Sequence, residues 1–274
     1  MKEPKIIYYK DELNDEFSKA KIKPRVIDEN YIYIHKNPLW NIASFLVQNV
    51  FSVPIKVLYS KFKFRIKYVG KEKLVEKYIN ILIKEITDVA EGNKLDYENG
   101  MDDLFKVNTI YIGGGTPSFI DSKYIVNIIK IIKEKFKLDE NVEITLEVNP
   151  GTVNKEKLED YFKIGINRLS IGLQSTNNNL LKEIGRIHTY EEFLNTYSLA
   201  RKVGFNINAD LIIGLPKQTI ADVENSVNEL VNLKLEHISV YSLILEEGTM
   251  LEELVRSGKL KLPEDKEERN MYWK

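Results

Sequence analysis

Cysteine is absent from all 274 residues. That removes disulfides, thiolate nucleophiles, zinc–thiolate sites and ordinary iron–sulfur clusters from the chemistry open to this chain. A secretory leader is also missing from its start, because "MKEPKIIYYKDELNDEF" is charged throughout and has no apolar stretch, so the cytoplasmic side is expected. No apolar run suits a membrane-spanning helix either. In the most hydrophobic segment, residues 37–59, Asn41, Gln48, Asn49 and Lys56 interrupt the pattern. No nucleic-acid partner is expected.

What is present is enough for a real core. The 43% hydrophobic content and this length fit one barrel-sized domain or two small ones. Charge is unevenly spread. Residues 1–70 hold 13 Lys+Arg against 7 Asp+Glu, and the remainder holds 27 against 34, within a chain whose net charge is −1. The basic first part contains "NPLWNIASFLVQNVFSVPIKVLY" (residues 37–59). As a helix, this stretch either lies on an anionic membrane surface with Trp40, Phe45 and Phe51 inserted, or packs against a core.

From residue 74 the pattern becomes regular. "KLVEKYINILIKEITDVA" puts Leu74, Tyr78, Ile81, Leu82 and Ile86 on one helical stripe. Strand-type runs then alternate with helical ones: "VNTIYI", "VEITLEV", "NRLSIGL", "NINADLIIGL" and "HISVYSLIL" are the strands, each carried to the next by an amphipathic stretch. Such alternation requires parallel strands with right-handed crossovers, so the fold class is α/β, a (β/α) barrel or a doubly wound sheet. Binding groups should collect at the carboxyl ends of its strands.

The polar residues fall where that rule asks. After the first of these strands comes the glycine loop Gly113, Gly114 and Gly115 with Thr116. Backbone N–H groups there are open to an anion or a carboxylate, although a plain tight turn explains three glycines equally well. Glu147 follows the second strand, Gln174 the third and Asp210 the fourth, with Arg186 and His188 nearby in "IGRIHT". Singly, each is explained as a helix-capping carboxylate, a loop charge or an amide tying two loops. Together they make a polar rim suited to a zwitterionic, ribose-bearing ligand.

"YIGGGTPS", "EVNPGTV", "GINRLSIGLQS", "LKEIGRIHT", "NADLIIGLPKQT" and "HISVYSLILEEGTML" closely resemble the radical S-adenosylmethionine (SAM) proteins grouped as oxygen-independent coproporphyrinogen III oxidases and haem chaperones. The resemblance covers roughly residues 70–274 and is strongest to the haem-chaperone branch. It implies an incomplete (β/α) barrel and a function in porphyrin or haem metabolism. It also implies that Gly113, Gly114, Gly115 and Thr116 receive the methionine end of SAM, and that Glu147, Gln174, Arg186 and Asp210 contact the rest of it. The family's [4Fe–4S] cluster is held by three cysteines, and this chain has none, so neither cluster nor radical chemistry is expected.

Residues 1 to about 70 resemble the start of a 1-acylglycerol-3-phosphate acyltransferase, in "KIIYYKDELNDEF", "YIHKNPLW" and "FRIKYVGKE". That family's His-x4-Asp does not occur here, since none of His35, His188 and His237 has Asp five positions on. The chain is therefore expected to be a composite: an acyltransferase-like segment over 1–72 joined to a truncated radical-SAM barrel over 73–274. The strand "TIYIGG" would then have an open edge, which residues 31–34 or 62–69 would fill. The functional expectation is a degenerate, cluster-free member of the haem-chaperone family. The alternatives are a non-catalytic module binding SAM, haem or a porphyrin, with His188 or His237 as axial ligand, and a membrane-surface protein directed by residues 37–59.

Overall fold

The computed structural model describes residues 25–28, 31–33, 50–54, 72–91, 107–114, 116–246 and 248–273. The chain divides into two compact units, residues 1–143 and 144–274, and each is taken by itself.

In the first unit, strands β1 (Arg25–Asp28) and β2 (Tyr31–Tyr33) pair antiparallel. Strand β3 (Val50–Pro54) pairs parallel with β4 (Val107–Gly113), from Val50 opposite Thr109 to Pro54 opposite Gly113. Helix α1 (Glu72–Ala90) lies between them in sequence. The edge of the "TIYIGG" strand is thus filled by 50–54. Residues 31–33 pair with β1 instead, and 62–69 lie outside the described residues. The helix expected over 37–59 is likewise corrected where it is described. "VFSVP" is β-branched and aromatic and forms a strand, while 37–49 and 55–59 lie outside the described residues.

Helix α1 buries Ile79, Leu82 and Ile86, at i, i+3 and i+7, with Tyr78 and Ile81 half-buried. The expected stripe is therefore turned toward Ile79, and the Leu74 side chain lies outside the described residues. Helix α2 (Ser122–Lys135) starts where the Asp121 side chain accepts from the Lys123 N–H. It buries Ile125, Ile128, Ile129 and Ile132, and Lys135 donates to Glu91 just past α1, at 2.8 Å.

Strand β5 (Leu138–Val148) begins before the division and ends after it. In the second unit its last residues pair with β6 (Arg168–Gln174), β6 with β7 (Asn206–Ile213), and β7 with β8 (His237–Ser242), all parallel. The connections carry helices α3 (Lys155–Lys163), α4 (Asn178–Glu183), α5 (Tyr190–Val203) and α6 (Ile220–Asn232). Helices α7 (Met250–Arg256) and α8 (Asp265–Tyr272) follow β8. All five expected strands are present. The fold is α/β, an incomplete (β/α) barrel, as expected.

Local signals fix where the helices begin. Thr189 and Glu192 form a reciprocal capping box at α5, and Thr219 and Asp222 form one at α6. Gly204, at φ 113°, closes α5 in the left-handed conformation. The core of this unit lies between strands and helices. Leu169, Ile171, Leu173, Ile207, Ala209, Leu211 and Ile213 come from the strands, and Leu158, Tyr161, Phe193 and Leu230 from the helices. Each fully buried Leu or Ile contributes roughly 1.5–3 kcal/mol. Met271 of α8 joins Ile213 and Val223 in the same core.

Candidate functional site

The glycine loop belongs to the first unit. Gly113 ends β4 and is buried, and Gly114 takes φ 86°, a conformation that favours glycine. Gly115 lies outside the described residues. Thr116 is buried, and its carbonyl accepts from the Phe119 N–H at 2.9 Å, closing the one-turn 3₁₀ helix Pro117–Phe119.

The remaining candidates belong to the second unit, where strand alternation sorts residues onto two faces. Odd-numbered residues of β6 and β7 form the apolar core, and even-numbered ones are mostly polar. Ser170 stands opposite Asn208, and Asp210 stands between Gly172 and Ser239. The Asn208 amide donates to Ser170 Oγ at 2.8 Å and to Asp210 Oδ1 at 2.7 Å. Ser170 donates to Asp210 Oδ2 at 3.2 Å, and Ser239 donates to Asn208 Oδ1 at 3.1 Å. Every donor in this chain of bonds leads to one carboxylate. Burial nevertheless outweighs the donors and pushes the Asp210 carboxyl above its usual range, with Asn208, Ser170, Ser239 and then the Arg168 charge pulling the other way.

Toward the start of the strands, Arg168 donates to Thr145 Oγ1 and to His237 Nδ1, each at 3.2 Å. Glu147 is half-buried and stands opposite Ser170 in the β5–β6 register. Asp210 therefore lies inside β7, three residues before its end, and Glu147 lies inside β5. The expectation that both follow their strands is corrected. The period-two alternation holds for longer than the loop signals suggested, so these carboxylates lie on the strand face rather than at its edge.

The carboxyl end of β6 carries the second cluster. A bulge puts both Leu173 and Gln174 where β7 has only one residue, and Gln174 takes φ 73°. Around Gly172, the Asn149 Oδ1 and Gln174 Nε2 atoms each come within 3.1 Å of where a Cβ would stand. A side chain at 172 would displace both by a few tenths of an ångström. Arg186 Nη1 donates to the same Asn149 oxygen at 3.5 Å. Gln174 and Arg186 are thus brought together around Asn149, above the strand that carries Ser170.

His188 and His237 each make a hydrogen bond within this unit. His188 is 5% exposed, and its Nε2 donates to the Leu173 carbonyl at 3.1 Å, which ties down the bulge. Burial holds its pKa below the usual imidazole value, so the neutral ring is favoured. His237 accepts from Arg168 through Nδ1.

Sequence reasoning missed Asn149, Arg168, Ser170, Asn208 and Ser239. The signal lay in "RLSIGLQ" and "NINADLII", whose polar positions alternate with apolar ones and so share a face with Asp210.

Residues 95–230 match the model of the Radical SAM superfamily. The chain is 36% identical over 208 residues to the heme chaperone HemW of Bacillus subtilis (strain 168), covering 75% of this chain and 52% of that protein. To HemW of Lactococcus lactis subsp. lactis (strain IL1403) it is 40% identical over 171 residues, covering 62% and 45%. Among solved structures, coproporphyrinogen III oxidase (HemN) from Escherichia coli, a radical SAM enzyme, superposes with a TM-score of 0.63. The identity there is 25%, over 77% of this chain and 45% of that one. The chain spans about half the length of the curated relatives it matches.

Proposed function

We propose, from the premise that this chain belongs to the radical SAM superfamily and to its haem-chaperone and coproporphyrinogen-oxidase-like branch, that it binds SAM without carrying out radical chemistry. The observation that supports this most is the polar strand face ending in the Asn149, Gln174 and Arg186 cluster. A half-buried carboxylate that collects donors at Asp210 accepts from ribose hydroxyls, and Arg186 pairs a carboxylate. Gln174 and Glu147 complete the contacts in this reading. The resemblance gives Gly113, Gly114, Gly115 and Thr116 the methionine end.

The [4Fe–4S] cluster of the family does not fit this chain. Its thiolate ligands have no counterpart in a sequence without cysteine, and among the described residues no group of three or more His, Asp or Glu side chains is placed to hold a metal ion. No step is therefore assigned to a cluster. Haem or a porphyrin, named through the relatives, is the alternative ligand.

Calorimetric titration with SAM tests the reading. A folded protein should bind in the micromolar range and lose at least tenfold in affinity on Arg186→Ala. No heat from a folded protein overturns it. No helix among the described residues is long and apolar enough to cross a membrane. Peripheral contact through residues 37–59 is a separate proposal, tested by comparing liposome sedimentation of the chain with and without residues 1–72. Equal partitioning rejects it.

A further inference from the structure

Between α3 and α5, on the helical side of the second unit, lies a groove of about 570 Å³, within the usual size of small-molecule sites. We propose that it binds a long-chain carboxylate of the fatty-acid type.

The floor is apolar, formed by Phe162 of α3 with Leu199 and Val203 of α5. Phe162 packs edge-on against buried Phe205, centroids 5.2 Å apart, yet stays 42% exposed. An aromatic ring is thus held in place with much of its surface uncovered. The groove follows α3 from Lys155 to Lys163, about 12 Å at 1.5 Å per residue. Seven lining residues are too few for a protein partner, which needs about 800 Å² on each side.

Charge sets the direction. At one end Lys155 is neutralised by Glu159, at 3.4 Å. Lys163 and Lys202 flank the other end, and neither has an acidic partner among the described residues. Each lies in the last turn of its helix, where a cation offsets the helix dipole. That accounts for their sign but not for the apolar hollow between them. A carboxylate placed there gains two charge-assisted contacts, and its chain packs on Phe162, Leu199 and Val203 beside them. Gly204 bears on the same site, because a Cβ there would come within 3.4 Å of the Phe162 ring.

The test is titration of the full chain with monomeric oleate, read by calorimetry and by displacement of anilinonaphthalene sulfonate. Oleate should saturate at one site. The Lys163→Gln/Lys202→Gln variant should bind at least tenfold more weakly, and so should oleyl alcohol tested on the unmodified chain. Lys130→Gln, on α2, should change nothing, and excess SAM should not compete. These surface variants should show unchanged circular dichroism melts. Undiminished binding by the double variant, equal affinity for oleyl alcohol, or retention only on phospholipid vesicles would each overturn the proposal.

Discussion

Strands β6 and β7 carry two chemistries on one backbone, and their faces differ in what holds them. On the helix-packed face Leu169, Ile171, Ile207 and Leu211 are at most 2% exposed. On the other face Ser170, Asn208 and Asp210 hold one another through hydrogen bonds. The first face contributes roughly 1.5–3 kcal/mol per buried side chain. The second nets about 0.5–1.5 kcal/mol per hydrogen bond and must also offset a half-buried carboxylate. Apolar residues on the second face would serve folding about as well. Its polarity therefore points to a ligand, and the two faces should respond differently to substitution.

The largest effect is expected on the apolar face. Ile171→Ala should cost about 2–5 kcal/mol in denaturant unfolding, from lost transfer energy and the cavity left behind, with SAM affinity intact in the folded fraction. Gly172→Ala should do the reverse. Its Cβ would press on Asn149 and Gln174, which can yield by moving away, so SAM affinity should fall at least tenfold while the melting temperature shifts little. An unchanged affinity would remove this cluster from the site.

Asp210→Asn sharpens the comparison further. The Asp210 carboxyl titrates higher in the folded chain than in the unfolded one, so the folded state binds more protons between the ordinary carboxyl range and the raised one. Stability contributed by this group is therefore lost as pH rises through that window. The Asn variant should be at least as stable as the parent at neutral pH and lack that slope, yet bind SAM more weakly. A less stable variant at neutral pH would show that the carboxylate serves folding.

His188 has the opposite sign. Its pKa lies below 6.5 in the folded chain, so the stability it contributes is complete above 6.5 and lost as pH falls toward the lowered value. His188→Gln, which keeps a donor for Leu173, should flatten unfolding free energy across that window. A remaining slope would assign the acid sensitivity elsewhere.

The sequence showed the five-strand alternation because each strand is bounded by an amphipathic helix with its own start signal, as at Thr189 and Thr219. Strand β3 was hidden, since "VFSVP" sits inside a longer apolar run whose period cannot separate buried helix from buried strand. Asp210, Gln174 and Arg186 stand out in the sequence through their motifs. Their neighbours do not, because Ser170, Asn208 and Ser239 are ordinary residues that matter only through cross-strand register. The bulge at Leu173–Gln174 left no trace either, for the left-handed position is filled by glutamine rather than glycine.

That glutamine has a consequence for variation along the chain. A non-glycine residue at φ 73° costs roughly 1–3 kcal/mol of backbone strain, so glycine at 174 would fold more easily and drift alone would favour it. Under the proposed function, position 174 is where folding and ligand contact pull in opposite directions. Should the site lose its use, this is the first place where the chain could gain stability by forgetting it.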